Sequence, residues 1–242
     1  AENRDFSFWA RVVHFENRYW SIDQLLNETE AINILELSSG YSFRGLDMVN
    51  RKPVHYIDTD LDEVISLKKK FVASLEKNGP KPKGRLEILP LNALNEKQFH
   101  ETLGRFPEGP VVIVNEGLLM YLNREEKVRL STLIRRTLKE RGGCWITADI
   151  YVKRKGNGIR IEQTEHEKEF FKQHRIEENK FDSFETARVF FNEAGFEKVK
   201  EAQADHSRLS ALPHLIGTAS AEQVEKMEMT GRIQATWMLK AF

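Results

Sequence analysis

The sequence predicts an α/β protein, a doubly wound, Rossmann-like sheet preceded by a helical segment. Three observations point there. From residue 32 onward, β-rich runs alternate with helix-patterned segments, which implies strands joined by right-handed crossovers. The run Val111–Asn115 (VVIVN) is apolar until its last residue, as a central parallel strand covered on both faces must be. The 242 residues suffice for one large core. No Pro/Ser/Gly-rich linker divides them, so residues 1–242 read as a single domain.

Residues 5–28 form helical segments, with Phe6, Trp9, Val12, Val13 and then Ile22, Leu25, Leu26 at helical spacings. Ile32–Leu37 is a first strand ending in Ser38-Ser39-Gly40, and Val54–Asp58 is a second. Asp60–Asn78 is a helix with apolar Leu61, Val64, Ile65, Leu67, Phe71, Val72 and Leu75, stopped by Gly79-Pro80. Arg85–Leu89 is a third strand and Asn95–Leu103 a short helix. After the fourth strand, Val111–Asn115, Asn123 is an N-cap with Glu126 three residues on, for a helix to about Arg141. Gly143–Asp149 is a fifth strand, Ser183–Ala194 a helix closed by Gly195, Phe196–Lys200 a sixth strand, and Gln234–Phe242 the last. Residues 150–182 and 201–233 interrupt the alternation and are placed to carry specificity above the sheet edge.

Composition narrows the function. Lys+Arg and Asp+Glu are both 37, so the formal net charge is zero. A neutral domain lacks the basic footprint that phosphate backbones demand, and nucleic acid is not an expected partner. No apolar stretch approaches the roughly 20 residues of a membrane span. The amino terminus carries no secretory apolar segment, and Cys144 is the single cysteine, in an apolar run, as in a reducing compartment. The sequence therefore predicts a cytoplasmic protein. His14, His55, His100, His166, His174, His206 and His214 show no short ligand spacing, so no metal site is expected.

Ligands of doubly wound sheets bind beyond the carboxyl ends of the strands. The first strand ends Glu36-Leu37-Ser38-Ser39-Gly40-Tyr41-Ser42. Its small residues let a ligand approach the backbone, Gly40 tolerates a positive φ, and Ser42 is placed to cap the next helix. One glycine stands where a dinucleotide fingerprint needs three. The second strand leads into Asp58-Thr59-Asp60, a carboxylate position suited to ribose hydroxyls. Helix capping by Asp60 is the competing reading. Asn92, in Leu91-Asn92-Ala93, either reads an adenine edge or forms a turn. Glu116, in Asn115-Glu116-Gly117, emerges from an apolar strand and needs a partner. Glu36, Asp58, Asp60 and Glu116 would repel a pyrophosphate and attract a cation. S-adenosylmethionine (SAM) is cationic and has no phosphate.

These segments together resemble a known family. ILELSSGYSFRGL in the 33–46 region, YIDTDLDEVISLKK (56–69), LPLNALN (89–95) and VVIVNEGLLMYL (111–122) resemble the leucine carboxyl methyltransferase-like branch of class I SAM-dependent methyltransferases. Within it, the likeness is to bacterial O-methyltransferases of polyketide-type biosynthesis. It covers roughly residues 15–150 and fades in 150–233. It implies a seven-stranded sheet with an antiparallel last strand. It also implies cofactor contacts: Glu36, Ser38 and Gly40 in the loop, Asp58 or Asp60 at the ribose, Asn92 and Ala93 at the adenine, Glu116 with Gly117 near the methionine portion. Arg18, in ENRYWSID, resembles an upstream family arginine that pairs the cofactor carboxylate. A surface helix arginine is the alternative. Ser38 departs from the usual Gly-x-Gly, and Arg44 carries no assigned role.

The expected activity is SAM-dependent O-methylation of a small-molecule hydroxyl or carboxylate, releasing S-adenosylhomocysteine. A non-catalytic SAM-binding or scaffold module and a protein carboxyl methyltransferase are the alternatives. A hydroxyl acceptor benefits from a general base. His166, His174, Tyr121 and Tyr151 fall on or after strand ends, but no residue is assigned that role. Tyr121 and Tyr151 are the candidate acceptor contacts.

Overall fold

The computed structural model describes residues 4–77, 79–154 and 163–242. Helix α1 (Phe6–Asn27) leads into β1 (Asn33–Leu37), α2 (Arg44–Arg51), β2 (His55–Asp60), α3 (Asp62–Glu76), β3 (Arg85–Pro90), α4 (Glu96–Leu103) and β4 (Val111–Asn115). A 3₁₀ turn at Leu119–Tyr121 precedes α5 (Arg124–Arg141) and β5 (Gly143–Tyr151). Then come α6 (Glu165–Gln173), α7 (Ile176–Asn179), α8 (Phe184–Glu193), β6 (Phe196–Glu201), α9 (Leu212–Thr218), α10 (Ala221–Thr230) and β7 (Gln234–Ala241).

The seven strands form one sheet in the order β3-β2-β1-β4-β5-β7-β6. Neighbours are parallel from β3 to β5, and β7 runs antiparallel to both β5 and β6. Strand order reverses between β1 and β4, which opens the crevice where such sheets hold ligands.

Alternate side chains of the central strands feed two cores. Leu35, Leu37, Ile57, Val111, Ile113 and Trp145 enter one, with α4, α5 and α8. Ile34, Tyr56, Val112, Val114, Cys144 and Ile146 enter the other, with α1 and α2. The two-residue period of the pleat produces this division. It explains why β4 is buried along its whole length. A register shift between Thr147 and Ile150 breaks the alternation in β5 and turns Ile150 into the same core as Trp145.

Several elements differ from the sequence reading. Strand β2 runs to Asp60, so Asp60 ends a strand and Leu61 is the N-cap of α3. Strand β5 runs on to Tyr151. Helix α3 ends at Glu76, and Asn78 lies outside the described residues. Of its apolar residues Leu67, Phe71 and Leu75 are exposed, while Ile65 and Val72 are buried with Lys68 between them. Lys68 pairs there with Asp58. Both insertions contain helices. Helix α6 is capped by a reciprocal Thr164–Glu167 pair and α10 by Ser220–Gln223, local bonds that do not need an apolar stripe. The expected Asn123–Glu126 capping box of α5 is present.

Candidate functional site

The site lies at the carboxyl edge of β1, β2, β4 and β5. The β1 turn is held open by two left-handed residues, Ser38 at φ 51° and Gly40 at φ 51°. A Cβ built on Gly40 would meet nothing within 4 Å, so the turn borders open space. Its backbone is pinned from β2: Gly40 N–H donates to Asp60 Oδ2 at 2.7 Å, and Asp60 Oδ1 accepts from Leu61 N–H at 2.7 Å. Ser42 is not the N-cap of α2, which is Phe43, although its hydroxyl accepts from Arg44 N–H at 3.3 Å.

The four acids singled out in the sequence do not stand free around the crevice. Glu36 is fully buried; one oxygen accepts from the Arg44 guanidinium and the other from the Tyr56 hydroxyl at 2.6 Å. Asp58 is buried against Lys68 Nζ, at 2.7 and 2.6 Å from its two oxygens, and Lys68 also donates to Ser39 Oγ at 2.9 Å. Burial, reinforced by the charge of Glu36, raises the Asp58 carboxyl to about 6 against the pull of Lys68. Glu116 accepts from Arg18 Nε at 3.0 Å and from Arg44 Nη2 at 2.8 Å. Burial opposes its ionisation, yet Arg44 and Arg18 outweigh that and hold it below the usual range. Only Asp60, of the four, has backbone N–H groups rather than a cation as its recorded partners.

Arg44 organises this arrangement. Its side chain is 1% exposed and meets Glu36, Glu116 and Asp23, the last at 2.7 Å, with the Tyr19 ring 4.1 Å from its guanidinium carbon. Burial works against its charge, but the surrounding acids prevail. Asp23, Glu36 and Glu116 meet Arg44, Glu116 also meets Arg18, and Asp58 meets Lys68, while Asp60 meets backbone N–H groups. Arg18, Arg44 and Lys68 thus offset much of the acid charge that the sequence places at this edge.

Arg18 is no surface arginine. Its Nη1 also donates to the Tyr151 hydroxyl at 3.0 Å, and His14 Nε2 lies 2.8 Å from that same oxygen. Because His14 and Arg18 are four residues apart on α1, they share a face. Burial and the cations Arg18 and Arg154 lower His14 to about 4, so it is neutral at pH 7. Burial raises the Tyr151 hydroxyl to about 12 despite Arg18. The pair therefore offers neutral hydrogen-bonding groups beside the Arg18–Glu116 ion pair.

The remaining candidates are distributed around this centre. Asn92 is exposed and its Oδ1 accepts from Leu94 N–H at 3.0 Å, a turn-forming bond, while Ala93 is buried beside it. Gly117 has φ 80°, and a Cβ there would lie 3.4 Å from Arg18 Nη2. Tyr121 is half exposed and meets Phe170 and His174 edge-on at 6.2 and 5.8 Å between centroids. His166 is exposed on α6. Among the described residues, no three His, Cys, Asp or Glu side chains group to hold a metal, and no helix is long and apolar enough to cross a membrane.

Sequence reasoning missed Arg44, Lys68, His14 and Asp149. Lys68 shares a helical face with Ile65 and Val72, but Leu67, Phe71 and Leu75 mark another, so the sequence did not single it out. Asp149 ends the fifth strand as the sequence reads it, so the argument made for Glu116 applied to it as well.

Neither a protein-family model nor a curated protein matches the sequence. Solved structures do match the fold. Mitomycin 7-O-methyltransferase MmcR is 10% identical with a TM-score of 0.54, covering 92% of this chain and 53% of its own. Magnesium protoporphyrin IX methyltransferase ChlM from Synechocystis PCC 6803, with bound S-adenosylhomocysteine, is 7% identical with a TM-score of 0.53, covering 96% and 85%. LepI in complex with SAM is 10% identical with a TM-score of 0.52, covering 93% and 46%. The chain thus spans under half the length of LepI and most of the length of ChlM. With its strand order, its antiparallel last strand and these likenesses, the chain has the Rossmann-like fold of SAM-dependent methyltransferases.

Proposed function

We propose that this protein binds SAM and transfers its methyl group to an oxygen of a small molecule, as an enzyme of the leucine carboxyl methyltransferase-like branch. One observation carries the reading: an Arg18–Glu116 pair, each side chain 12% exposed, stands at the same sheet edge as the open turn at Gly40. A guanidinium beside a carboxylate complements the carboxylate and ammonium of an amino acid. The open turn and Asp60 suit a nucleoside.

In this reading Arg18 holds the cofactor carboxylate and Glu116, with Gly117 beside it, the ammonium. Ser38 and Gly40 lie along the cofactor, Asp60 takes the ribose hydroxyls, and Asn92 and Ala93 border the adenine. Glu36 and Asp58 act from below: Glu36 fixes Arg44, and Asp58 fixes Lys68 under Ser39. When bound, SAM supplies a methyl group on a cationic sulfur, which keeps the electron pair of the broken bond. The chain's task is alignment of the acceptor oxygen with that methyl, worth about 7–11 kcal/mol in well-oriented systems. Neutral His14 and Tyr151 orient the acceptor by hydrogen bonding; a carboxylate acceptor has no proton to lose, and a hydroxyl acceptor passes its proton to solvent. Tyr121 borders the acceptor from the side of α6. A small molecule is the proposed partner. The lone Cys144, buried, fits a reducing compartment, and the cytoplasm is the proposed location.

Isothermal titration with SAM and S-adenosylhomocysteine tests the reading. Binding in the micromolar range is expected, and no heat at millimolar cofactor rejects it. Conversion of SAM to S-adenosylhomocysteine in the presence of a metabolite extract separates an enzyme from a sensor. Methyl label appearing on protein and released by base would redirect the reading to protein carboxyl methylation.

A further inference from the structure

We propose that Asp149 is a positioning residue of this site: its carboxylate fixes the backbone after Glu116 and thereby sets the Glu116 side chain for its ligand. The inference rests on the cofactor reading above and names a residue which that reading does not use.

Asp149 lies near the end of β5 and is 2% exposed. Its Oδ1 accepts from Gly117 N–H at 2.6 Å; its Oδ2 accepts from Leu118 N–H at 2.6 Å and Leu119 N–H at 2.9 Å. The Asn115 amide donates to Oδ2 at 2.7 Å and is itself held by the Trp145 indole, whose Nε1–H donates to Asn115 Oδ1 at 2.6 Å. Four donors converge on two oxygens, close to the capacity of a carboxylate. Three consecutive peptide N–H groups are thus oriented by one side chain from the neighbouring strand.

A turn of this kind is ordinarily capped by its own Ser, Asp or Asn. Here the residue preceding the three N–H groups is Glu116, whose oxygens go instead to Arg18 and Arg44. Asp149 takes over the capping, which leaves the Glu116 side chain to its two arginines at the crevice. Gly117, at φ 80°, makes the reversal that separates the two carboxylates. Burying an ionised group is costly unless its bonds are satisfied, so loss of this arrangement moves the loop rather than leaving it in place.

The test is a binding cycle on the full chain, using S-adenosylhomocysteine as the calorimetric probe. Asp149→Asn places an amide N–H against peptide N–H donors. It is expected to weaken binding about tenfold or more, as loss of buried charge-assisted hydrogen bonds does. Because Asp149 acts through Glu116, the loss in the Asp149→Asn/Glu116→Gln double variant should be smaller than the product of the two single losses. Asp149→Glu keeps the charge but moves it by one methylene from the same N–H groups, and its loss should likewise overlap with that of Glu116→Gln. It decides the matter if Asp149→Asn does not fold. Multiplicative losses, or unchanged affinity in a folded variant with only a lower Tm, would reduce Asp149 to a structural residue and overturn the proposal. Failure of the unmodified protein to bind the probe rejects the cofactor reading itself, and this inference with it.

Discussion

Arg44 ties three parts of the chain together through three carboxylates. Its guanidinium joins α1 through Asp23, β1 through Glu36 and the β4 turn through Glu116. Removing one partner of a buried ion pair leaves the other charge without compensation, at about 3–5 kcal/mol. Arg44→Met is therefore expected to lower unfolding stability by that amount in urea titration; a loss near 1 kcal/mol would mean the acids find other partners. Arg44→Lys should recover little, because an ammonium lacks the planar fork that reaches three carboxylates. His14 supplies a second residue-scale prediction. Its folded-state value, about 4, lies below the ordinary 6.5, so its contribution to stability is present above pH 6.5 and is lost as pH falls through 4. Nitrogen-15 NMR should show the His14 ring titrating near 4. A midpoint near 6.5 would mean it is solvated and free to act as a base at neutral pH.

At the scale of elements, the junction between α5 and β5 shows how closely two strands can approach. Gly142 and Gly143 have φ 76° and 106°. A Cβ on Gly142 meets nothing within 4 Å, whereas one on Gly143 would lie 2.0 Å from the Val111 carbonyl oxygen. Gly142→Ala should cost only its backbone strain, about 1–3 kcal/mol. Gly143→Ala adds a backbone clash and should lose about 1–3 kcal/mol more, or fail to fold. Equal losses in thermal or urea unfolding would show that φ alone governs both positions. The same two glycines explain why the helix-to-strand boundary was readable: glycine ends a helix and a strand pattern follows.

At the scale of the whole molecule, side-chain bonds tie α7 to the turn after β4. Lys127 Nζ donates to the carbonyls of Leu122, at 2.8 Å, and Asn179, at 2.5 Å; the Asn179 amide donates to the Met120 carbonyl at 3.2 Å. Burial lowers the Lys127 ammonium to about 8. Lys127→Met should detach α7 from the β4 turn while leaving the sheet intact. Hydrogen exchange checks this: faster exchange in residues 176–181 with unchanged protection in β4 is expected, and uniform acceleration would place Lys127 in the global core instead.

The sequence by itself determined the alternation of strands and helices, the central place of β4, the α5 cap, the antiparallel last strand through its likeness to a family, and which strand ends carry polar groups. Those features are local: hydrophobic period, glycine stops and capping pairs act within a few residues along the chain. Only the tertiary structure decided what the polar groups do. Glu36 meets Arg44 eight residues away, Asp58 meets Lys68 ten away, Glu116 meets Arg18 ninety-eight away and Asp149 meets Gly117 thirty-two away. A carboxylate's behaviour depends on which cation or N–H group folding brings within about 3 Å. That distance is set by strand order and helix packing, and it has no trace in a window of neighbouring residues.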